Sequence, residues 1–229
     1  MREIIFDTET TGLDPKSGDR MVEIGCIEMM NRVATGQTFH AYFNPERSMP
    51  PEAEAVHGLS DTFLADKPLF ADRASELIEF LGDSPLVAHN AGFDFGFLNT
   101  ELTLCGLQEV PLERMVDTVA IARVRHPGAK LSLDALCTRY GIDRSHRTKH
   151  GALLDAELLA QVYVELKGGR QIGLQLVEMA GDGPRESDVS IKKVRIFRAP
   201  RPHCASEAEL LAHEEFLKTV ASPLWSRQR

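Results

Sequence analysis

Residues 4–12 read Ile-Ile-Phe-Asp-Thr-Glu-Thr-Thr-Gly, and the two acids in that run, Asp7 and Glu9, are residue types on which chemistry can be built. The apolar residues before them read as a buried strand, whose side chains alternate between its two faces. Asp7 and Glu9 stand two apart and so project from one face at the strand's end. Carboxylates held that close at the edge of a core repel each other and resist desolvation. A hard divalent cation removes both difficulties, because Mg²⁺ takes oxygen ligands and carries the opposite charge. Standing alone, an Asp-x-Glu pair reads as an exposed acidic strand end. The rest of the chain overturns that reading by supplying partners.

The first partner is His89-Asn90-Ala91-Gly92-Phe93-Asp94, preceded by the short apolar run Pro85–Ala88. Residues 93 to about 105 are compatible with a helix, with Phe93, Phe97 and Leu104 near one stripe. Asp94 then falls in the first turn of a helix that follows a strand, where the helix dipole favours a carboxylate whatever its role. The second partner is His150-Gly151-Ala152-Leu153-Leu154-Asp155, followed by a helix face marked by Leu154, Leu158 and Val162 and stopped at Gly168-Gly169. Positions five apart on one helix diverge by about 140°. His150 is therefore expected in the loop ahead of the helix, mobile, with Asp155 anchored.

Asp-x-Glu on a first strand, a later Asp94 and His-x₄-Asp on a last helix together resemble the DEDDh family of 3′→5′ exonucleases, and within it the proofreading exonucleases of bacterial replicative polymerases. Phe6–Gly12, Val56-His57-Gly58-Leu59, His89–Asp94, Leu131–Cys137 and His150–Asp155 all carry the likeness, which spans residues 1–168. The resemblance implies a ribonuclease-H-like α/β fold, a mixed central sheet flanked by helices. It implies two Mg²⁺ or Mn²⁺ ions per active site. Asp7 would bridge both, Glu9 and Asp155 would complete the shell of one, and Asp94 would hold the other. His150 would be the general base. Thr10, His57, Leu59 and Asn90 are the expected contacts to a single-stranded 3′ end of DNA. The products would be a 5′-mononucleotide and a shortened strand.

The 229 residues, 43% of them hydrophobic, suffice for one well-buried α/β domain and an appendage. No stretch approaches the about 18 apolar residues of a membrane span. The first strand starts too early to leave room for a signal peptide, and Cys26, Cys105, Cys137 and Cys204 form no Cys-x-x-Cys pair. The expectation is a reduced, cytoplasmic chain. A formal charge of −8 argues against tight independent binding to duplex DNA, so such an enzyme needs tethering to its substrate. Two divalent ions would offset the four site carboxylates locally.

The elements that must position these groups follow from periodicity. A hairpin is expected from 21–30 and 35–43, short helical turns over 50–64, and a helix over 68–81 with Leu69, Leu77, Ile78 and Leu81 at roughly helical spacing. A strand at 85–88, a short strand at 115–117 and a helix at 118–125 follow. Ser132 then N-caps a helix that Gly141 stops. Alternating strands and helices predict a mostly parallel sheet. Arg139, Arg144, Arg147 and Lys149, with His146, crowd the approach to His150, as a solvated loop or as phosphate contacts. Phe93 and Phe97, at helical spacing, are assigned to the core rather than to base stacking.

Beyond Lys167 the character changes, with residues 169–188 read as a linker and 189–229 as a C-terminal segment. Gln171-Ile172-Gly173-Leu174-Gln175-Leu176 resembles the short motif that binds bacterial sliding clamps. Gln171 would make an orienting hydrogen bond, and Leu174 and Leu176 would enter an apolar groove. Residues 189–203 carry Lys192, Lys193, Arg195, Arg198 and Arg201 without an acid. Ser206 and Glu209 form a capping box for a helix with Leu210, Leu217 and Val220 on one stripe, followed by Pro223, Leu224 and Trp225. In the resembled family this segment anchors the exonuclease to the polymerase alpha subunit. Three activities fit these residues: DNA proofreading, RNA trimming by the same site, and a non-catalytic adaptor. The clamp-like motif favours the first, and the intact catalytic set argues against the third.

Overall fold

Ile4, Ile5 and Phe6 supply the β-branched and aromatic side chains that suit a strand covered on both faces, and they are fully buried in β1 (Arg2–Thr10). The computed structural model describes residues 1–145, 149–169 and 205–221. The antiparallel strands β2 (Met21–Met30) and β3 (Val33–Tyr42) follow β1. Next come α1 (Pro51–His57), α2 (Asp61–Leu64) and α3 (Phe70–Leu81). The remaining elements of this unit are β4 (Leu86–Ala88), α4 (Gly92–Leu104), β5 (Met115–Asp117), α5 (Thr118–Arg125), α6 (Leu133–Tyr140) and α7 (Ala152–Leu166). The sheet order is β3-β2-β1-β4-β5. β1 pairs antiparallel with β2 and parallel with β4, so the sheet is mixed rather than mostly parallel. The alternation of elements predicts the parallel half correctly. The N-terminal hairpin, whose short turn permits only antiparallel pairing, supplies the other half.

Two apolar layers sandwich the sheet. Ile4, Phe6, Ile24 and Cys26 pack with α3 and α4 on one face, while Ile5, Ile27 and Met29 pack with α6 and α7 on the other. Asp7 and Glu9 follow Ile5 in the strand alternation and so share the face of α7. Thr8 looks to the other. The odd positions of β2 share the α7 face as well, with Gly25 opposite Asp7 and Glu23 opposite Glu9.

In two helices the apolar spacing does not coincide with the buried stripe. In α3 the buried residues are Phe70, Ala74, Leu77 and Leu81, while Leu69 and Ile78 are exposed. Leu69 is the N-cap rather than a helical residue, which rotates the stripe. In α4, Leu104 is exposed, and two acids, Asp94 and Glu101, lie in the buried stripe with Phe95, Phe97, Leu98 and Leu102. Burial of Glu101 is satisfied by Arg20, whose Nε and Nη2 donate to it at 2.8 and 2.9 Å, and by the Met21 N–H at 3.1 Å. A buried carboxylate with a two-pronged guanidinium partner tolerates desolvation. The pair ties α4 to the start of β2.

Helix α7 is held along β1 at both ends. Far from the carboxylates, the Tyr163 hydroxyl donates to the buried Glu3 at 2.7 Å. Ser132 accepts from the Ala135 N–H and caps α6, and Gly141, at φ 67°, ends it in the left-handed conformation. The chain divides into two units, Met1–Leu176 and Val177–Arg229. In the second, α8 (Glu207–Thr219) begins with the expected capping box, Ser206 with Glu209. The clamp-like residues 171–176, the basic run 189–203, His146, Arg147, Cys204 and residues 223–225 lie outside the described residues. Among the described residues no helix is long and apolar enough to cross a membrane, and Cys26 and Cys105 are free thiols.

Candidate active site

The carboxyl end of β1 receives one acid from each face of the sheet. Asp94 sits in the first turn of α4 and accepts from the Thr8 hydroxyl at 2.8 Å. Asp155 sits in the first turn of α7, on the face of Asp7 and Glu9. All four line one cleft of about 290 Å³, together with His150 and Asn90. A larger groove of about 750 Å³ between β2–β3 and α6–α7 has only Glu157 and Glu165 as acids in its lining, so the expected carboxylate set gathers in the smaller cleft.

The sheet-to-helix distance that brings Asp155 in is set by a missing side chain. A Cβ on Gly25 would lie 2.3 Å from the backbone N and Cα of Leu153. The first turn of α7 therefore rests directly on the β2 backbone beside Asp7. His150 precedes the helix, as expected, and its loop placement lets it fold back. Nδ1 lies 3.0 Å from Asp155 Oδ2, while the His150 N–H donates to the Val56 carbonyl. Glu9, His150 and Asp155 each offer a ligand atom within 4.8 Å of one another.

Asp94 and Asp155 are each only 3% exposed. Burial pushes the Asp94 carboxyl up to about 7, against the opposing pull of the Thr8 hydroxyl. A folded state that keeps this proton up to about pH 7, where the unfolded chain releases it near 4, binds more protons between those values. Its contribution to stability is present below about pH 4 and is lost as pH rises towards 7. The thermal midpoint of metal-free protein is therefore expected to fall by a few degrees between pH 5 and 8, at about 2–4 °C per kcal/mol. Asp94→Asn should abolish that component of the fall. Added Mg²⁺ should raise the wild-type midpoint more at pH 8 than at pH 5. Scanning fluorimetry in chelator and in Mg²⁺ reads both effects, and an unchanged pH profile in Asp94→Asn would overturn this account.

Of the four expected substrate contacts, the structure brings only Asn90 to the cleft lining. Thr10 turns its hydroxyl to the Gly12 carbonyl at 2.6 Å, after a register shift between Glu9 and Thr10. His57 is buried. Its Nδ1 accepts from the Leu59 N–H at 3.0 Å, burial lowers its pKa, and its Nε2 makes no hydrogen bond. Leu59 packs beside Val22, Met49 and Leu64. Phe93, assigned to the core on spacing, packs against it and also lines the cleft, while Phe97 is buried against Phe93 at 5.0 Å between centroids.

His89, Ser132, Leu133 and Asp134 also line the cleft and were not singled out from sequence. His89 opens the His89–Asp94 motif and the other three lie in the Leu131–Cys137 motif, and those motifs are the signals that pointed to them. Of the basic run, Arg144 pairs with Asp134 at 2.9 Å, both about half exposed, and the Lys149 stem packs beside Gly58. Exposed pairs of that kind contribute at most about 1 kcal/mol.

Carboxylates gathered from a strand and two helices at one sheet end, most of them buried, with a histidine against one of them, fit a nuclease of the ribonuclease-H-like fold. A family model described as Exonuclease matches residues 4–163. The chain resembles the solved structure titled Exonuclease X in complex with 5′ overhanging duplex DNA at 27% identity and a TM-score of 0.54. That likeness covers 72% of this chain and 90% of the other. The nuclease domain of 3′hExo, a DEDDh family member, bound to rAMP, shares the fold at 18% identity and a TM-score of 0.63, over 72% and 91% of the two chains.

DNA polymerase III subunit epsilon of Rickettsia felis is 48% identical over 225 residues, covering 96% of this chain and 97% of that protein. The protein of the same name from Escherichia coli K12 is 41% identical over 237 residues, covering 98% and 97%. The chain belongs to the family of DNA polymerase III epsilon subunits, and it is a 3′→5′ exonuclease.

Proposed function

We propose that this chain removes mispaired nucleotides from the 3′ end of DNA as the proofreading subunit of a bacterial replicative polymerase. The convergence of Asp7, Glu9, Asp94, Asp155 and His150 on one cleft carries this reading. The buried, proton-retaining Asp94 and the oxygen-rich donor set suit a hard divalent cation. The four carboxylates would hold two Mg²⁺ or Mn²⁺ ions, which supply Lewis acidity and positive charge at the phosphodiester when bound. Asp155 can accept the Nδ1–H of His150 and still donate to a cation, since a carboxylate has lone pairs for both. That hydrogen bond sets the imidazole tautomer, leaving the Nε2 lone pair to take the proton of the attacking water. Phe93 offers a ring for base stacking, and Asn90 offers an amide beside it.

Residues 1–168 are the exonuclease domain in this reading and 169–188 the linker. The Gln171, Leu174 and Leu176 segment would engage the sliding clamp, and residues 189–229 the alpha subunit of DNA polymerase III. The relatives named as subunits of that polymerase support this assembly, and it locates the protein in the bacterial cytoplasm. An acidic enzyme gains effective concentration at a primer end from tethering rather than from its own DNA affinity.

Digestion of matched 3′-labelled single-stranded DNA and RNA with Mg²⁺ tests the substrate, with preferred release of deoxynucleotides expected. Faster release from RNA would make the chain an RNA trimmer. A fragment ending at Lys167 should digest short single-stranded DNA at close to the full-length rate and fail to co-elute with the polymerase on size exclusion. Gln171→Ala with Leu174→Ala in the full chain should weaken clamp binding and spare polymerase binding. Co-elution of the fragment would overturn the assignment of residues 189–229.

A further inference from the structure

Asp94 reaches the cleft only because the chain reverses sharply between β4 and α4. The turn puts Asn90 at φ 63°, a left-handed conformation that costs a residue with a Cβ on the order of 1 kcal/mol. Asn is among the residues that tolerate it best. Such a turn also leaves two backbone N–H groups, those of Asn90 and Ala91, outside any ladder. One carboxylate on the neighbouring strand takes both. Asp117 Oδ1, at the end of β5 and paired in register with Ala88, accepts from Asn90 N at 3.1 Å and Ala91 N at 3.4 Å. It also accepts from Val119 N at 2.9 Å, capping α5. The next residue reinforces the tie, for the Thr118 hydroxyl donates to the Ala88 carbonyl at 3.1 Å and lies 2.9 Å from His89 Nδ1. Asp117 itself is not part of the cleft lining.

We propose that Asp117 is a positioning residue for the metal site: by clamping the Asn90–Ala91 turn it fixes the first turn of α4 and with it the Asp94 carboxylate. The proposal rests on the exonuclease reading and extends it. Its carboxylate acts through geometry, as an acceptor of two otherwise unpaired donors, and not through contact with substrate or cation. Outer partners of this kind change metal affinity or activity by about 10–100-fold.

Two substitutions separate the clamp from simple capping and from charge. Asp117→Ser keeps a good N-cap for α5 but is too short to reach the turn. Asp117→Asn keeps an acceptor oxygen at full reach and removes the charge. Calorimetric titration of the full-length protein with Mn²⁺ alone, without DNA, should show Asp117→Ser binding about 10-fold more weakly than wild type. Asp117→Asn should recover most of that loss. The kcat for single-stranded DNA should fall in Asp117→Ser while KM stays within about twofold, and circular dichroism should report a folded protein.

Wild-type Mn²⁺ affinity in Asp117→Ser would overturn the proposal, as would an Asp117→Asn variant as impaired as Asp117→Ser. If wild type itself neither binds Mn²⁺ nor releases nucleotides, the exonuclease reading fails instead. Should Asp117→Ser not fold, Asp117→Asn alone decides: near-wild-type Mn²⁺ affinity supports the clamp, and a 10-fold loss refutes it.

Discussion

Replacing Asp7 with alanine should leave a folded protein whose exonuclease activity has dropped by at least about 10³-fold. Asp7 shares a sheet face with Glu9 and a cleft with Asp94, Asp155 and His150. Losing it removes a donor from the centre of the set, and metal charge stabilisation is worth several kcal/mol at about 1.4 kcal/mol per decade of rate. The fold should not suffer. The backbone of residue 7 still pairs with Gly25, and deleting one of several neighbouring carboxylates relieves repulsion in the metal-free protein. Hence the thermal midpoint in chelator should be no lower than wild type. Release of labelled mononucleotide by purified Asp7→Ala, with contaminating nuclease excluded, checks the first half and fluorimetry the second. Retained activity would sink the metal assignment.

Gly25→Ala should cost about 10²-fold in activity, although alanine is the better strand residue. Intrinsic preference alone predicts stabilisation, since glycine in a strand interior is worse than alanine by roughly 0.5–1 kcal/mol. The tertiary contact reverses the sign. A methyl carbon 2.3 Å from Leu153 N and Cα meets backbone, which has no rotamer to escape into. Relief requires about 1 Å of separation between β2 and the first turn of α7, and a misplacement of that size costs on the order of 10² in rate. Asp155 lies two residues beyond the point of collision, so it moves with the helix. Overpacking should also lower stability by about 1–3 kcal/mol. Activity measured well below the melting midpoint of Gly25→Ala separates displacement from unfolding, and wild-type turnover there would show that α7 does not set the site.

The two positions differ in how far they could be read in advance. Asp7 was legible because strand alternation is local: two acids two apart after Ile4-Ile5-Phe6 share a face in any fold that makes this segment a strand. Ser132 and Gly141, and Ser206 with Glu209, were legible for the same reason, since a cap is satisfied within one turn of its own helix. The α4 stripe was not. Counting apolar residues selected Phe93, Phe97 and Leu104, whereas the buried stripe includes Asp94 and Glu101. An acid can be buried only if a distant group satisfies it, and Thr8 and Arg20 lie far away in sequence. That Phe93 reaches the cleft as well as the core, and that His57 is buried, follows from how helices meet the sheet rather than from spacing.

By itself the sequence determined the candidates for the chemistry, the α/β class and most element boundaries, because these depend on residue type, short periods and caps. Only the tertiary structure decided that β1 pairs antiparallel on one side and parallel on the other, and that Asp94 and Asp155 approach the strand end from opposite faces. It also decided that Gly25 admits α7 and that Asp117 holds the turn before α4. Each of those outcomes depends on a contact between segments remote in the chain, where excluded volume and the need to pair buried polar groups act only once the layers have packed.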